Sequence, residues 1–358
     1  TGIAQPETHL AVLRNWDTYV MLVSRRPLHA DEELVRFTED RNFDWVYRYD
    51  KRLEWSNRFY IFDAPYHSLA VERLSEAYRE GRETAFFDAY FMDIRPQTDN
   101  RPFPNRFLKW QRLKETYRAT GSRMYTLLLS GEIVVAVIFL EAGLLSIVLL
   151  ALPFVALRKA DTRPGAAEML YFLSLGIGFM FVELYFIKQL VLLYGDPVVS
   201  FTVVLTGMLV FSGVGGFFSQ RLTERALVVS LVLLVILLAL VAPATAWLTQ
   251  AILPYPVPMH FAIGLAWLAV PGVLTGLPFP LAMRHLLKTP SSRAYAWTTN
   301  GCASVLASIA AAQLALSRGI AAIVIGAAAV YGVALICALK MRSSTGVKNA
   351  SARALESN

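Results

Sequence analysis

Residues 170–220 read LYFLSLGIGFMFVELYFIKQLVLLYGDPVVSFTVVLTGMLVFSGVGGFFSQ. Two long apolar runs meet at Tyr194-Gly195-Asp196-Pro197. Each run is long enough to cross ~30 Å of hydrocarbon, so the short link makes the two helices antiparallel neighbours. Asp196 is placed to cap the second helix, and Pro197 suits its first turn, where a missing N–H costs nothing. Gly176, Phe179, Glu183 and Leu190 share one face of the first helix at helical spacing. A carboxylate is costly in lipid, so that face should look into a bundle, with Gly176 permitting close approach. In the second helix Ser212 and Gly216 stand four apart, a spacing that lets helix backbones touch.

Working outward, the apolar texture continues. Seven spans are expected, at 130–157, 169–193, 197–218, 226–248, 259–283, 294–316 and 319–339. The fourth is nearly pure Val, Leu and Ile and reads as the most lipid-exposed. The fifth holds Gly264, Pro271, Gly272, Gly276, Pro278 and Pro280, which predicts a kink or break. The sixth carries Gly301, Ser304, Ser308, Ala311 and Ala315 as a close-packing seam. The tail, 341–358, is small and polar and reads as disordered.

Composition divides the chain in two. It is 55% hydrophobic with a formal charge of +7. Residues 1–124 hold 20 of the 34 basic and 19 of the 27 acidic residues, so that half is near neutral and the excess lies in the membrane half. Such an excess reads as a topology signal, not a nucleic-acid footprint. Loop charges after spans one, three and five, with the tail, put that side in the cytoplasm: Arg158, Lys159, Arg163, Arg221, Arg225, Arg284, Lys288, Arg293, Lys340, Arg342, Lys348 and Arg353. Residues 1–124 are then outside. Lys109, Arg112, Lys114, Arg118 and Arg123 crowd the first span and argue the reverse. Both hold only if that span, interrupted by Glu132 and Glu141, fails to cross.

Within residues 1–104, 18–24 (TYVMLVS) reads as a buried strand and 44–49 as a second. A helix opened by Asp31-Glu32-Glu33 lies between them. This is β-α-β order, the grammar of an α/β domain. Residues 105–124, basic and aromatic, read as a juxtamembrane amphipathic helix, and 125–340 as the transmembrane bundle. Cys302 and Cys337 lie in apolar spans, which indicates neither a disulfide framework nor a metal site. The opening at Thr1 reads like the middle of a domain.

The candidate polar site is intramembrane: Glu183, Lys188, Gln189 and Asn300. Ionisable groups at membrane depth are functional candidates by default. The competing readings are a structural carboxyl for Glu183, a snorkelling Lys188, and hydrogen-bond glue for the two amides. His260 reads as interfacial. In residues 1–124, Asp88, Asp93 and Asp99 fall near the domain's end. Neither a catalytic triad nor a G-x-G-x-x-G loop after a strand stands out.

The chain resembles the C-terminal half of bacterial membrane-embedded spermidine-synthase-like proteins. The resemblance rests on Asn15-Trp16 leading into VMLVSRRPL, on TDNRPF at 98–103 and on GIGFMFVELYFIKQLVLLYGDP at 176–197. It continues in GLPFPLAMR at 276–284 and NGCASVLAS at 300–308. Asn100 departs from the family pattern, which tends to have a second Asp. The resemblance implies a partial Rossmann-like transferase domain joined to an all-α polytopic bundle of about seven helices in a bacterial inner membrane. It also implies that the cofactor loop and catalytic acids lie upstream of Thr1, so the chain itself holds no cofactor. The intact protein would use S-adenosylmethionine or its decarboxylated form on an amine or a lipid-soluble acceptor. A transporter or permease-like module and a non-catalytic scaffold remain as alternatives. The expected partner is the lipid bilayer, without nucleic acid.

Overall fold

The computed structural model describes residues 5–15, 18–29, 32–51, 66–103, 106–120, 131–156, 165–287 and 289–356. Trp16, Arg123, Arg158, Lys159, Arg163 and Lys288 lie outside them. The chain forms two compact units: residues 1–96 with 105–130, and residues 97–104 with 131–358.

In the first unit, β1 (Leu10–Asn15), β2 (Thr18–Val23) and β3 (Asp44–Tyr47) form one sheet in the order β2-β1-β3. Both pairings are antiparallel, with Leu10 opposite Val23 and Val12 opposite Tyr47. The two expected strands therefore exist but do not pair with each other. Each joins β1, which sequence reading passed over. Central β1 has both neighbours, and Ala11 to Arg14 are buried. β2, expected to be buried, is an edge strand with Met21 and Val23 at 65% and 73% exposure. Position in the sheet, not apolarity, decides burial here. Helices α1 (Glu32–Asp40), α2 (Tyr66–Arg79) and α3 (Glu83–Ala89) follow, and α4 (Leu113–Thr120) completes this unit.

The second unit is helical: α5 (Gly131–Ala156), α6 (Ala166–Gln189), the turn α7 (Val191–Tyr194), α8 (Pro197–Ser219), α9 (Arg225–Ile252), α10 (Val257–Gly276), α11 (Pro278–His285), α12 (Pro290–Arg318) and α13 (Ile320–Glu356). Six stretches among the described residues are long and apolar enough to cross a membrane, making this a multi-pass bundle. In α5 the apolar run is the shorter 133–149. The backbone of α13 stays helical to Glu356 where a disordered tail was expected. Ala, Lys and Arg are good helix formers, and no proline stops the helix.

α6 lies at the centre, packed on both α12 and α13, and is the most buried span. Its exit follows the sequence logic. Gly195 takes a left-handed φ of 72° that closes α7. Asp196 then accepts hydrogen bonds from the N–H groups of Val198 (2.7 Å) and Val199 (2.9 Å), with Pro197 in the first turn. Such a cap contributes about 1 kcal/mol. α9 is not the most lipid-exposed span; a larger share of it is buried than of α8, α10–α11 or α12. Leu227, Leu231, Leu234, Leu238 and Val241 recur at helical spacing and bury one stripe. Composition had hidden that stripe.

Candidate functional site: a cavity within the bundle

Glycines weld the bundle into pairs. A Cβ at Gly176 of α6 would meet the Asn300 carbonyl of α12. One at Gly215 of α8 would meet the Val273 carbonyl, and one at Gly276 the Ser212 carbonyl. So α6 lies on α12, and α8 on α10, at backbone contact. The α12 seam that does this is Asn300, Ala303 and Ser304, whereas Gly301 is exposed.

Between these two pairs lies a cavity of about 720 Å³. Leu175, Phe179, Leu209, Phe279, Met283 and Trp297 supply its apolar wall. Leu209 and Trp297 are largely exposed, so it opens sideways to the surroundings. The polar wall groups spend their donors on nearby helix carbonyls. Ser212 Oγ donates to Leu209 (3.2 Å), Thr275 Oγ1 to Gly272 (2.9 Å) and Asn300 Nδ2 to Phe172 (3.2 Å). At one end stand Arg284 and Arg293, both exposed. Arg284 donates to the Gln220 carbonyl just past α8, and Arg293 to the Leu287 carbonyl at 3.4 Å. Among the described residues neither meets a carboxylate.

The expected break in the fifth span borders this cavity. α10 stops at Gly276 and α11 starts at Pro278. Tyr171, fully buried, donates its hydroxyl to the Pro278 carbonyl at 3.0 Å and so satisfies a group at the interruption.

Of the candidate residues, Asn300 lines the cavity. Glu183 does not. It faces the bundle interior as expected, at 5% exposure, one helical turn beyond Phe179. Its Oε1 meets no hydrogen-bond partner. The expected partners are engaged elsewhere: Asn300 with Phe172, Ser304 with the Asn300 carbonyl at 2.9 Å, and Ser212 with Leu209. Lys188 is exposed at the far end of α6, over the ring of Phe103 at 5.7 Å, and Gln189 is half-buried beside it. His260, in the first turn of α10, is buried 3.1 Å from the Ile252 carbonyl and joins α10 to the end of α9. In the sequence, Arg284 and Arg293 bear on topology alone. The signal available was their place on either side of a helix link, one just past a proline-broken span.

The TDNRPF stretch belongs to the bundle. Arg101 N–H donates to the Thr98 carbonyl (2.7 Å), closing a tight turn. The Asn100 carbonyl accepts from Ile320 N–H and its Oδ1 from Ala321 N–H, both at 2.8 Å. Arg101 Nη2 donates to the Ser317 carbonyl at 3.1 Å. One turn therefore caps the start of α13 and holds the end of α12.

In the first unit the basic run has internal partners. Lys109 Nζ donates to the carbonyls of Phe87 and Tyr90, and Arg112 to that of Ala89, around the end of α3. Burial pushes the Lys109 amine below its usual range. Asp93 is buried beside Arg106 at 3.5 Å, and Asp88 pairs with Arg95. These carboxylates are thus engaged in ion pairs. Among the described residues no three His, Cys, Asp or Glu side chains gather as a metal site. Compared with known proteins, the chain matches no family model, no curated protein and no solved structure.

Proposed function

We propose that this chain is the membrane part of a spermidine-synthase-like transferase, and that its bundle binds a lipid-soluble acceptor. The observation that carries this reading is the cavity, apolar within and open to the side, as a site drawing its occupant from a bilayer should be. The first unit would be the end of the Rossmann-like domain. Its described strands pair antiparallel around β1. In this reading the intact protein uses S-adenosylmethionine or its decarboxylated form.

The test uses membranes carrying the intact protein and either compound, labelled on the transferable group. Label should enter the organic extract, and Gly213→Leu, which fills the cavity, should abolish this. No protein-dependent labelling of any extract overturns the transferase reading. A permease-like reading is favoured by one observation, the interrupted α10–α11 helix on the cavity wall. It predicts passage of the occupant across sealed vesicles without labelling.

A further inference from the structure

We infer that the cavity takes an anionic membrane lipid and excludes cationic amines. The inference rests on the cavity being a binding site, as proposed above, and goes on to the chemistry of its occupant.

The cavity is polarised along its length. Leu175, Phe179 and Leu209 line its inner part, and Arg284 and Arg293 stand where α11 ends and α12 begins. Because the Ser212 and Thr275 hydroxyls and the Asn300 amide donate to helix carbonyls, the inner wall presents few free donors. An acyl chain suits such a wall, whereas a sugar would leave its acceptor oxygens unmet. Phe279 and Trp297, in edge contact at 4.7 Å, flank the apolar part.

Two guanidiniums at the mouth select a phosphate or carboxylate head. Each keeps donors beyond the one given to a carbonyl, and guanidinium geometry matches phosphate oxygens. Among the lining residues there is no Asp or Glu. A polyamine would meet two like charges and no counter-charge, an arrangement that rejects it. This departs from the amine acceptor that spermidine synthases imply. The occupant's source follows from the bundle's charges. The links and ends on the Arg284–Arg293 side also carry Arg221, Arg225, Lys340 and Arg342 against Glu168 and Glu224, the latter paired with Arg342, so that side stays basic and the head would lie with the headgroups of that leaflet.

Native mass spectrometry of the full chain in detergent, titrated with phosphatidylglycerol, phosphatidylcholine and spermidine, tests this. Phosphatidylglycerol should bind at least about fivefold more tightly than phosphatidylcholine, and spermidine should neither bind nor compete. Arg284→Gln with Arg293→Gln should erase the preference. Because Arg284 also caps α8, Arg293→Gln alone is measured too, and should lower the preference in a chain whose melting temperature is unchanged. Gly213→Leu should block both lipids, since a side chain there enters open space and not a neighbour. If Gly213→Leu blocks lipid but the arginine variants leave the preference intact, the cavity stands and the anionic class fails. If Gly213→Leu changes nothing, the cavity is not a site and both readings fall. Spermidine binding in the cavity also overturns the inference.

Discussion

Asn100 shows how one side chain can hold two helices. Its Oδ1 and carbonyl serve the first two N–H groups of α13, beside the Gly319 turn. An aspartate at this position would offer the same acceptor and preserve the bond. Asn100→Ala should cost about 0.5–2 kcal/mol and Asn100→Asp almost nothing, read from unfolding in detergent. Gly319 sits at φ 94°, ψ 168°, a region nearly exclusive to glycine, and a Cβ there would also strike Asn100. Gly319→Ala should therefore cost at least about 1–3 kcal/mol. Glu183 is the opposite case, a buried carboxyl with one oxygen unpartnered. Glu183→Gln and Glu183→Leu should both keep or raise the melting temperature, because each removes the cost of burying a carboxyl. A sharp fall for Leu alone would show that the carboxyl bonds the helices. Lost activity in a stable Gln variant would assign it a functional role.

At the scale of elements, the glycines divide by what faces them. Gly276 of α10 is pressed on the Ser212 backbone, whereas a Cβ at Gly213 of α8 meets nothing. Gly276→Ala should separate α8 from α10 and destabilise by about 1–3 kcal/mol, the usual cost of overpacking. Gly213→Ala should be neutral or stabilise by up to about 1 kcal/mol, since alanine is the better helix former. Comparing the two melting curves checks both, and equal shifts would contradict the packing described. The same welds explain the cavity. Backbone contact in α6–α12 and in α8–α10 fixes each pair, and the apolar space remains between them.

For the whole molecule, the staple bears on topology. Residues 98–101 lie at the α12–α13 turn, while α6 starts at the other, basic end. Between these points the chain must cross the bundle an odd number of times. α5, at 26 residues, spans about 39 Å and can make that crossing. With Lys109 and Arg112 engaged around the end of α3, the loop charges become the better guide. A cysteine at Asp99 should be labelled by an impermeant maleimide from outside the cell, and one at Ser343 only after lysis. Labelling of both from the same side would remove the crossing. The native Cys302 and Cys337 are buried and should stay silent.

Local chemistry determined much of this protein from its sequence. The six apolar runs after residue 165, the Gly195-Asp196-Pro197 turn and the break near Gly276 each depend on nearby residues, and each is present as read. So is the inward face of Glu183, because a carboxylate facing lipid is too costly. What joins residues distant in sequence was decided by tertiary structure. β1 took the centre of the sheet, TDNRPF reached across to α13, and glycine contacts chose which helices pair. Arg284 and Arg293, separate loop charges in sequence, stand at one cavity because two welded pairs leave a space between them. A spacing along the chain states which face a residue shares, but only the fold states what that face meets.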